Sequence, residues 1–298
     1  MSSATPAQPL LTTWVVVGGA GAVGGLFVES LVAAGRSVSV VDTGPARPGA
    51  RHLSGDITDI GPELAAELAA ADAVVLAVPE PVALAAVKGV AAAMRPEALL
   101  VDTLSVKQPV VEAVRAQAPG REALALNPMF APALGFEGRP VAAVVVQDGP
   151  RVREALALVT QWQGKVVEVD ERDHDRLAAA TQALTHAAVL SFGLALAELD
   201  VPIAELRAVA PPPHDTLLAL LARIAGGTPE VYWDVQSANP QAPAARRELA
   251  SAVRRIADLV EAGDEAGFEQ LLGRLTGLLG PELDHYRASC AQIFAARS

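Results

Sequence analysis

The 298-residue sequence contains a single cysteine, Cys290, and its first residues do not combine a basic start with an apolar stretch. One cysteine excludes a disulfide framework and any metal site built from several cysteine ligands. Residues 1–13 do not resemble a signal peptide, and we interpret them as a short disordered tail. The sequence therefore favours a cytoplasmic protein.

Positive charge is also scarce: 23 Lys and Arg residues stand against 34 Asp and Glu residues, and the formal net charge is −11. Nucleic acids and anionic membranes attract basic surfaces, so neither is expected as the main partner. A small anionic substrate stays possible, since one local cationic site can exist in an acidic protein. The apolar fraction of 51% and the charged fraction of 19% are typical of a globular chain, and its length suffices for two domains.

Charge is absent from residues 177–197, a span long enough to cross a bilayer. The polar side chains that interrupt this span are Thr181, Gln182, Thr185, His186 and Ser191. Lipid offers such groups no hydrogen-bond partners, so we predict a helix buried in protein rather than a membrane span. No group of His, Asp and Glu residues has metal-ligand spacing in the sequence, and no metal is predicted.

The first half of the chain alternates short apolar runs with longer helical patterns. Runs of Val, Leu and Ala predict strands at 14–17, 38–41, 73–78, 98–101, 123–126, 141–146 and 165–169. The segments between them predict helices at 23–34, 62–70, 81–94 and 110–116. Unbroken apolar strands that alternate with helices are typical of an α/β doubly wound fold with a mostly parallel sheet. We therefore predict a Rossmann domain over residues 14–170.

The strand pattern stops after residue 170, and an all-α domain is predicted over residues 171–298. Proline is absent between Pro150 and Pro202, which permits one long helix over about 173–199. Further helices are predicted at about 215–226, 241–262 and 264–295. The long apolar helix carries more uncharged surface than a small domain can cover, so we predict a homodimer packed through this domain.

A Gly-x-Gly-x-x-Gly pattern follows the first strand and opens the first helix. In that context the first glycine permits a tight turn, the second lets a pyrophosphate approach the backbone, and the third lets helix and strand pack closely. Asp42 ends the second strand, where a carboxylate binds ribose hydroxyls and repels a 2′-phosphate, so NAD is predicted over NADP. The nearby cations Arg47 and Arg51 oppose this preference. The predicted cofactor contacts are Gly19, Gly21, Ala22, Val23, Gly24, Asp42 and Val78.

Four short motifs are spread over both predicted domains. They are GGAGAVGGLF (18–27), DTLSVK (102–107), NPMFAP (127–132) and TQALTH (181–186). In order and spacing they resemble the prephenate dehydrogenase family over roughly residues 14–295. The resemblance implies an NAD-dependent oxidative decarboxylase, in which hydride leaves C4 of a cyclohexadiene ring for the nicotinamide while the C1 carboxylate departs as CO₂. It also implies that the helical domain is a dimerisation domain.

The sequence departs from the family pattern at Asn127. The family has a histidine there, which accepts a hydrogen bond from the C4 hydroxyl and acts as a general base. An asparagine amide donates and accepts hydrogen bonds but takes no proton at neutral pH. Three explanations are open: the chain is a catalytically inactive NAD-binding regulator, it uses another base, for which His186 is the first candidate, or its substrate needs no base.

A substrate with an amino group at C4 depends less on a general base, because the nitrogen lone pair can assist the departure of hydride from C4. That substrate is 4-amino-4-deoxyprephenate, and its product is 4-aminophenylpyruvate. The segments NPMFAP and APPPH (210–214) are similar to the family branch that serves 4-aminophenylalanine and antibiotic biosynthesis. The alternative is a prephenate or arogenate dehydrogenase that tolerates Asn127.

The other motif residues keep the residue types of the family. Ser105 and Lys107 follow a strand, at the carboxyl end where Rossmann ligands bind. The resemblance implies that Ser105 lies near C4 or the nicotinamide and that Lys107 binds a substrate carboxylate. Gln182 and His186 are four residues apart and share a helix face, which lines the substrate pocket in the family.

A second departure from the family lies at Asp215, where members that act on prephenate carry a carboxylate-binding arginine. Loss of the guanidinium removes a bidentate carboxylate partner, and an acidic residue suits a substrate that carries an amine. His214 or Arg223 would then meet the substrate carboxylates. His174 and Asp175 lie where the long helix begins, and for them we predict a capping or domain-junction role.

Overall fold

The computed structural model describes residues 9–46 and 49–296, which form two compact units divided between Ala178 and Ala179. We refer to them as the N-terminal unit and the C-terminal unit. The sheet of the N-terminal unit contains β1 (Thr13–Val17), β2 (Ser37–Asp42), β3 (Arg51–Ser54), β4 (Ala73–Leu76), β5 (Leu99–Asp102), β6 (Ala123–Pro128), β7 (Pro140–Gln147) and β8 (Lys165–Glu168). Its α-helices are α1 (Ala22–Ala33), α2 (Pro62–Ala70), α3 (Glu80–Ala93), α4 (Gln108–Gln117), α5 (Pro150–Gln161) and α6 (Glu171–Ala178).

The strands are ordered β3-β2-β1-β4-β5-β6-β7-β8 in one sheet. All neighbouring pairs are parallel except β6 and β7, which are antiparallel. The chain reverses its direction of winding between β1 and β4, and ligands of such folds bind outside the carboxyl ends of the strands at this switch point. The predicted doubly wound, mostly parallel α/β domain is confirmed.

One strand and one α-helix of the N-terminal unit were absent from the sequence prediction. The edge strand β3 has the sequence RHLS, which carries too little apolar character to stand out. Helix α5 buries Val152, Ala155, Leu156 and Val159, which repeat at helical spacing, so its signal was present in the sequence. The predicted domain boundary at residue 170 is earlier than the structural division, because α6 belongs to the N-terminal unit.

The segment before β1 is attached to the N-terminal unit. Leu11 is fully buried, and its backbone N–H donates to the carboxylate of Glu154. The Asp72 carboxylate accepts hydrogen bonds from Thr12 and Thr13, and although burial opposes them, these bonds hold the pKa of Asp72 well below its usual range. The prediction of a disordered tail is therefore wrong for residues 11–13, and residues 1–8 lie outside the described part of the chain.

The C-terminal unit is helical, as predicted. It begins with a π-helical turn (Ala179–Ala183) and continues with α7 (Leu184–Glu198), α8 (Ile203–Val209), α9 (Pro212–Ala225), α10 (Pro229–Ser237), α11 (Ala242–Glu261), α12 (Glu265–Leu279) and α13 (Leu283–Ala295). The predicted helix over 264–295 is interrupted at Gly280, whose φ of 51° is left-handed and which precedes Pro281. Helices α8 and α10 were not predicted.

One helical run, Glu171–Glu198, is long and apolar enough to cross a membrane by length and composition alone. Only 22% of its apolar window is buried, and within α7 the buried residue is Val189. Leu194 and Leu199 are 71% and 69% exposed. The prediction that protein covers this helix therefore stays a prediction, and the chain's own described residues supply only part of the cover.

Candidate active site

The glycine-rich loop lies between the carboxyl ends of β1 and β4. The left-handed turn is made by Gly18, with φ of 79°, and a Cβ there would lie 2.2 Å from the carbonyl oxygen of Ala77. At Gly19 a Cβ would lie 2.7 Å from Val40, so this glycine makes room for β2 rather than making the turn. At Gly24 a Cβ would lie 2.2 Å from the Gly18 carbonyl oxygen, so the third glycine lets α1 pack closely against the turn that follows β1.

A cavity of about 450 Å³ opens beside this loop. Its lining includes three of the predicted cofactor residues, namely Gly21, Asp42 and Val78. Gly21 is the N-cap of α1, and Ala22 and Val23 are the first residues of that helix, whose first turn contains no acidic side chain. The N–H groups of a first helical turn have no partner within the helix and bind phosphate groups. The cavity therefore fits a nucleotide.

Asp42 is held in place at the edge of this cavity. Its Oδ2 accepts a hydrogen bond from the backbone N–H of Ala20 at 2.8 Å, and its Oδ1 accepts one from Gly44 at 2.7 Å. Each carboxylate oxygen keeps a second lone pair for a ribose hydroxyl. Of the two nearby arginines, Arg51 pairs with Glu67 at 3.1 Å, so its charge is already compensated, and Arg47 lies outside the described residues. These contacts favour a cofactor without a 2′-phosphate.

Lys107, at the N-cap of α4, is fully buried. Its Nζ donates to Asp102 Oδ1 at 2.6 Å and to the carbonyl oxygen of Leu126 at 2.8 Å. Burial lowers the pKa of Lys107 and raises that of Asp102, and the attraction between the two charges opposes both effects. The predicted contact with a substrate carboxylate is therefore corrected: this ammonium group is enclosed by protein and joins the ends of β5 and β6.

Asn127 is the last residue but one of β6, and only 3% of it is exposed. Its Nδ2 lies 3.1 Å from Nε2 of His174, whose Nδ1 lies 2.8 Å from Oδ1 of Asp175. The Asp175 carboxylate also accepts hydrogen bonds from the backbone N–H groups of Lys107 and Gln108. Asp175 therefore caps the N-terminus of α4, a helix other than its own, and the structure adds His174 to the site.

Ser105 lies in the loop that joins β5 to α4 and is half-buried. Within the described parts of the chain, no residue makes a hydrogen bond with its hydroxyl group. Because β5 and β6 are parallel neighbours, Ser105 and Asn127 follow or end adjacent strands at the same edge of the sheet. The role predicted for Ser105 near the reacting centre stays a prediction.

In the C-terminal unit the structure brings His186 together with Tyr232 and Arg223. The rings of His186 and Tyr232 are 5.0 Å apart, and burial, followed by the charge of Arg223, lowers the pKa of His186. Nδ1 of His186 is buried without a partner among the described residues. Gln182 lies one helical turn earlier, in the π-helical segment.

His214 and Asp215 occupy the first turn of α9. The His214 ring contacts Phe192 at 5.7 Å, and its Nε2 is buried without a partner in the described chain. Arg223 lies in the last turn of the same helix, where its side chain is exposed. The candidate substrate-binding groups of the C-terminal unit are therefore one cation, Arg223, and the imidazoles of His186 and His214. Among the described residues, no group of three or more His, Cys, Asp and Glu side chains could hold a metal ion.

Comparison with protein-family models identifies both units. The nucleotide-binding domain of prephenate dehydrogenase matches residues 33–146, and its dimerization domain matches residues 170–274. The chain belongs to the prephenate dehydrogenase family. The glycine-rich loop precedes residue 33, where the first matched range begins. The geometry of the loop is therefore evidence for a nucleotide site that does not depend on the family match.

Individual relatives agree with this assignment. A 4-amino-4-deoxyprephenate dehydrogenase from Streptomyces pristinaespiralis is 56% identical over 95% of this chain and 96% of its own length. A probable arogenate/prephenate dehydrogenase from Methanocaldococcus jannaschii is 27% identical over 90% of this chain and 61% of its own length. The identity to the first relative is about twice that to the second, so this chain is much more similar to the amino-substrate enzyme.

Solved structures show the same fold. Prephenate dehydrogenase from A. aeolicus, crystallised with hydroxyphenyl propionate and NAD⁺, has a TM-score of 0.72 at 17% identity and covers 89% of this chain and 96% of that one. Synechocystis arogenate dehydrogenase has a TM-score of 0.66 at 17% identity, over 92% of this chain and 99% of that one. The Rossmann unit followed by a helical unit is therefore the common architecture.

The buried position of Lys107 leads to a stability prediction. Substituting Lys107→Met leaves the Asp102 carboxylate buried without its cation, and we expect the free energy of unfolding to fall by about 3–5 kcal/mol. Urea titration followed by tryptophan fluorescence measures this, because Trp14 and Trp162 belong to the same unit. The double variant Asp102→Asn/Lys107→Met removes both charges and should recover part of the loss.

Lys88→Met is the matched control for this substitution, since Lys88 is exposed on α3 and should change stability little. A Lys107→Met protein as stable as the Lys88→Met protein, with a raised KM for substrate, would contradict the structural role and restore the carboxylate-binding one.

Proposed function

We propose that this chain is an NAD-dependent dehydrogenase that oxidatively decarboxylates 4-amino-4-deoxyprephenate to 4-aminophenylpyruvate. The observation that carries the proposal is Asn127, a buried amide hydrogen-bonded to His174 at the position where the family has its general base. The 56% identity to the Streptomyces pristinaespiralis enzyme supports the same substrate. The most direct biosynthetic use of the product is the route to 4-aminophenylalanine and antibiotics.

The chemistry suits a site without a base at position 127. Hydride leaves C4 as the nitrogen lone pair forms a C=N bond, and the electrons of the breaking C1–carboxylate bond then flow into the ring, which becomes aromatic and releases CO₂. No proton has to be removed from the neutral amine in these steps. A hydroxyl oxygen donates its electrons less readily, which is why a general base contributes about 10²–10⁴-fold in such reactions.

The residues present can hold both reactants. When bound, NAD supplies the hydride acceptor, and we assign its pyrophosphate to the first turn of α1 and its ribose to Asp42. The Asn127 carbonyl accepts an N–H of the substrate amine, and the Ser105 hydroxyl is a further hydrogen-bond partner near C4. From the C-terminal unit, we assign Arg223 and His214 to the substrate carboxylates, Gln182 and His186 to the pocket wall, and Asp215 to the amine-bearing substrate.

We also propose that the protein is a homodimer through its C-terminal unit. The matching family model is a dimerization domain, and α11 and α12 expose apolar side chains such as Val253, Val260 and Leu278. Covering such a surface is what association of two copies would achieve. Sedimentation equilibrium tests this, and a species of 30.6 kDa at micromolar concentration would contradict it. A cytoplasmic location stays a prediction from the sequence.

The substrate assignment is tested by following NADH absorbance with 4-amino-4-deoxyprephenate, prephenate and arogenate in turn. We expect kcat/KM for the amino compound to exceed that for prephenate by at least about 10²-fold, because only the hydroxyl substrate needs a base. Faster turnover of prephenate or arogenate would favour the alternative assignment within the family. No turnover of any of the three would favour an inactive NAD-binding regulator.

The role of the amide is tested by the variant Asn127→His, which restores the residue type of the family. We expect it to gain prephenate oxidation and to lose part of its activity on the amino substrate. The gain should be partial, since Asp215 still lacks the guanidinium of the prephenate-specific members. Asn127→Ala is the control and should lower activity on both substrates. A histidine variant with no measurable prephenate activity would argue that position 127 does not decide between amine and hydroxyl.

A further inference from the structure

The side-chain amide of Asn127 has two ends with opposite hydrogen-bonding properties. Nδ2 only donates hydrogen bonds and Oδ1 only accepts them. The end that faces the substrate therefore decides whether Asn127 can accept an N–H from an amine. The contact of Nδ2 with Nε2 of His174, at 3.1 Å, orients the amide.

The protonation of His174 can be deduced from its other contact. Nδ1 lies 2.8 Å from Oδ1 of Asp175, and an ionised carboxylate only accepts hydrogen bonds, so Nδ1 carries a proton. In the neutral ring Nε2 then has a lone pair and no proton. It can only accept, and the group that donates to it from Asn127 must be Nδ2.

The carboxylate of Asp175 is itself held in one orientation. It is fully buried, and its two carboxylate oxygens accept the backbone N–H groups of Lys107 at 2.8 Å and Gln108 at 2.9 Å. Rotation of the carboxylate would leave the backbone N–H groups of Lys107 and Gln108 at the start of α4 without their acceptor. The orientation of the imidazole, and through it that of the amide, therefore derives from the start of α4.

Burial favours the neutral form of the His174 ring, and three charged groups face it. They are Asp175 on the same helix, Lys107 at the start of α4 and Asp102 at the end of β5. Burial lowers the pKa of His174, and the positive charge of Lys107 lowers it further. The hydrogen bond with Asp175 and the negative charges of Asp175 and Asp102 oppose this, and the net shift of the pKa is downward. A neutral ring agrees with the donor and acceptor roles deduced from the geometry.

We infer that the His174–Asp175 pair is a positioning device that holds the carbonyl oxygen of Asn127 toward the substrate, where it accepts a hydrogen bond from the C4 amine and leaves the nitrogen lone pair free for hydride transfer. No residue in the described ranges donates a hydrogen bond to Oδ1 of Asn127. This atom is also not one of the fully buried side-chain atoms that lack a partner, so it is not closed off from solvent. The substrate part of this inference rests on the proposed function. The orientation of the amide does not.

The orientation is tested without any substrate. Nitrogen NMR of the full-length protein with ¹⁵N-labelled histidine distinguishes a protonated ring nitrogen from an unprotonated one. The His174 signals are assigned by their loss in His174→Gln, and His285→Gln is the matched control on an exposed histidine. We expect Nδ1 to be protonated and Nε2 to be unprotonated at neutral pH. The reverse tautomer, or an imidazolium ring, would overturn the inference whatever the substrate proves to be.

The consequence for catalysis is tested with two substitutions at the same position. His174→Phe fills the space of the ring but offers Nδ2 no acceptor, whereas His174→Gln has a carbonyl oxygen that can reach the place of Nε2. With the amino substrate we expect kcat to fall about tenfold or more in the Phe variant, the loss expected when about 1.4 kcal/mol of transition-state stabilisation is removed. The Gln variant should recover part of this loss.

A purely structural role would change other quantities instead. We expect the Kd for NAD and the melting temperature of the Gln variant to stay close to those of the unsubstituted protein, while its kcat lies between the other two. An unchanged kcat in the Phe variant, or equal losses in both variants, would overturn the inference. If the unsubstituted protein does not turn over the amino substrate, the proposed function fails, and the NMR result still decides the orientation of the amide.

Discussion

In the N-terminal unit, the candidate site residues depend on one buried ion pair, that of Lys107 and Asp102. The lysine side chain joins the end of β5 to the backbone of β6 at Leu126, the residue directly before Asn127. Its own backbone N–H is held by Asp175. A buried charge is tolerated only when its partners are in place, so a displacement of any of these elements leaves a charge uncompensated. This requirement keeps Asn127 in a defined position.

The same network explains how an amide can replace an acid–base residue without disordering the site. Asp175 caps α4 and holds His174, and His174 holds Asn127. Each member of this chain of contacts is buried, and a satisfied polar network in a protein interior is rigid because every unmade hydrogen bond is costly. In the function that we propose, the site presents a fixed acceptor at Asn127, which suits a substrate whose nitrogen lone pair drives hydride transfer.

Much of the fold could be predicted from the sequence because periodicity and glycine spacing report local geometry. The strands of the parallel sheet and the glycine-rich loop were predicted in this way, although the left-handed turn lies at Gly18 and not at Gly19. Strand β3 was missed because it is short and polar at an edge. The antiparallel pairing of β7 with β6 could not be predicted from the sequence either, since strand direction depends on how the chain crosses the sheet and not on the residues of the strand.

The sequence by itself determined what chemistry position 127 can and cannot perform, since an amide is no base in any environment. It also located Lys107 beside the site, but a charge in a motif does not reveal whether it faces substrate or protein. Only the tertiary structure decided that the Lys107 ammonium is enclosed by protein. It also decided that the hydrogen-bond partner of Asn127 is His174, which lies 47 residues later in the chain. The reason is physical: burial and hydrogen-bond partners are set by which elements pack together, and they select one tautomer of the imidazole and one orientation of the amide.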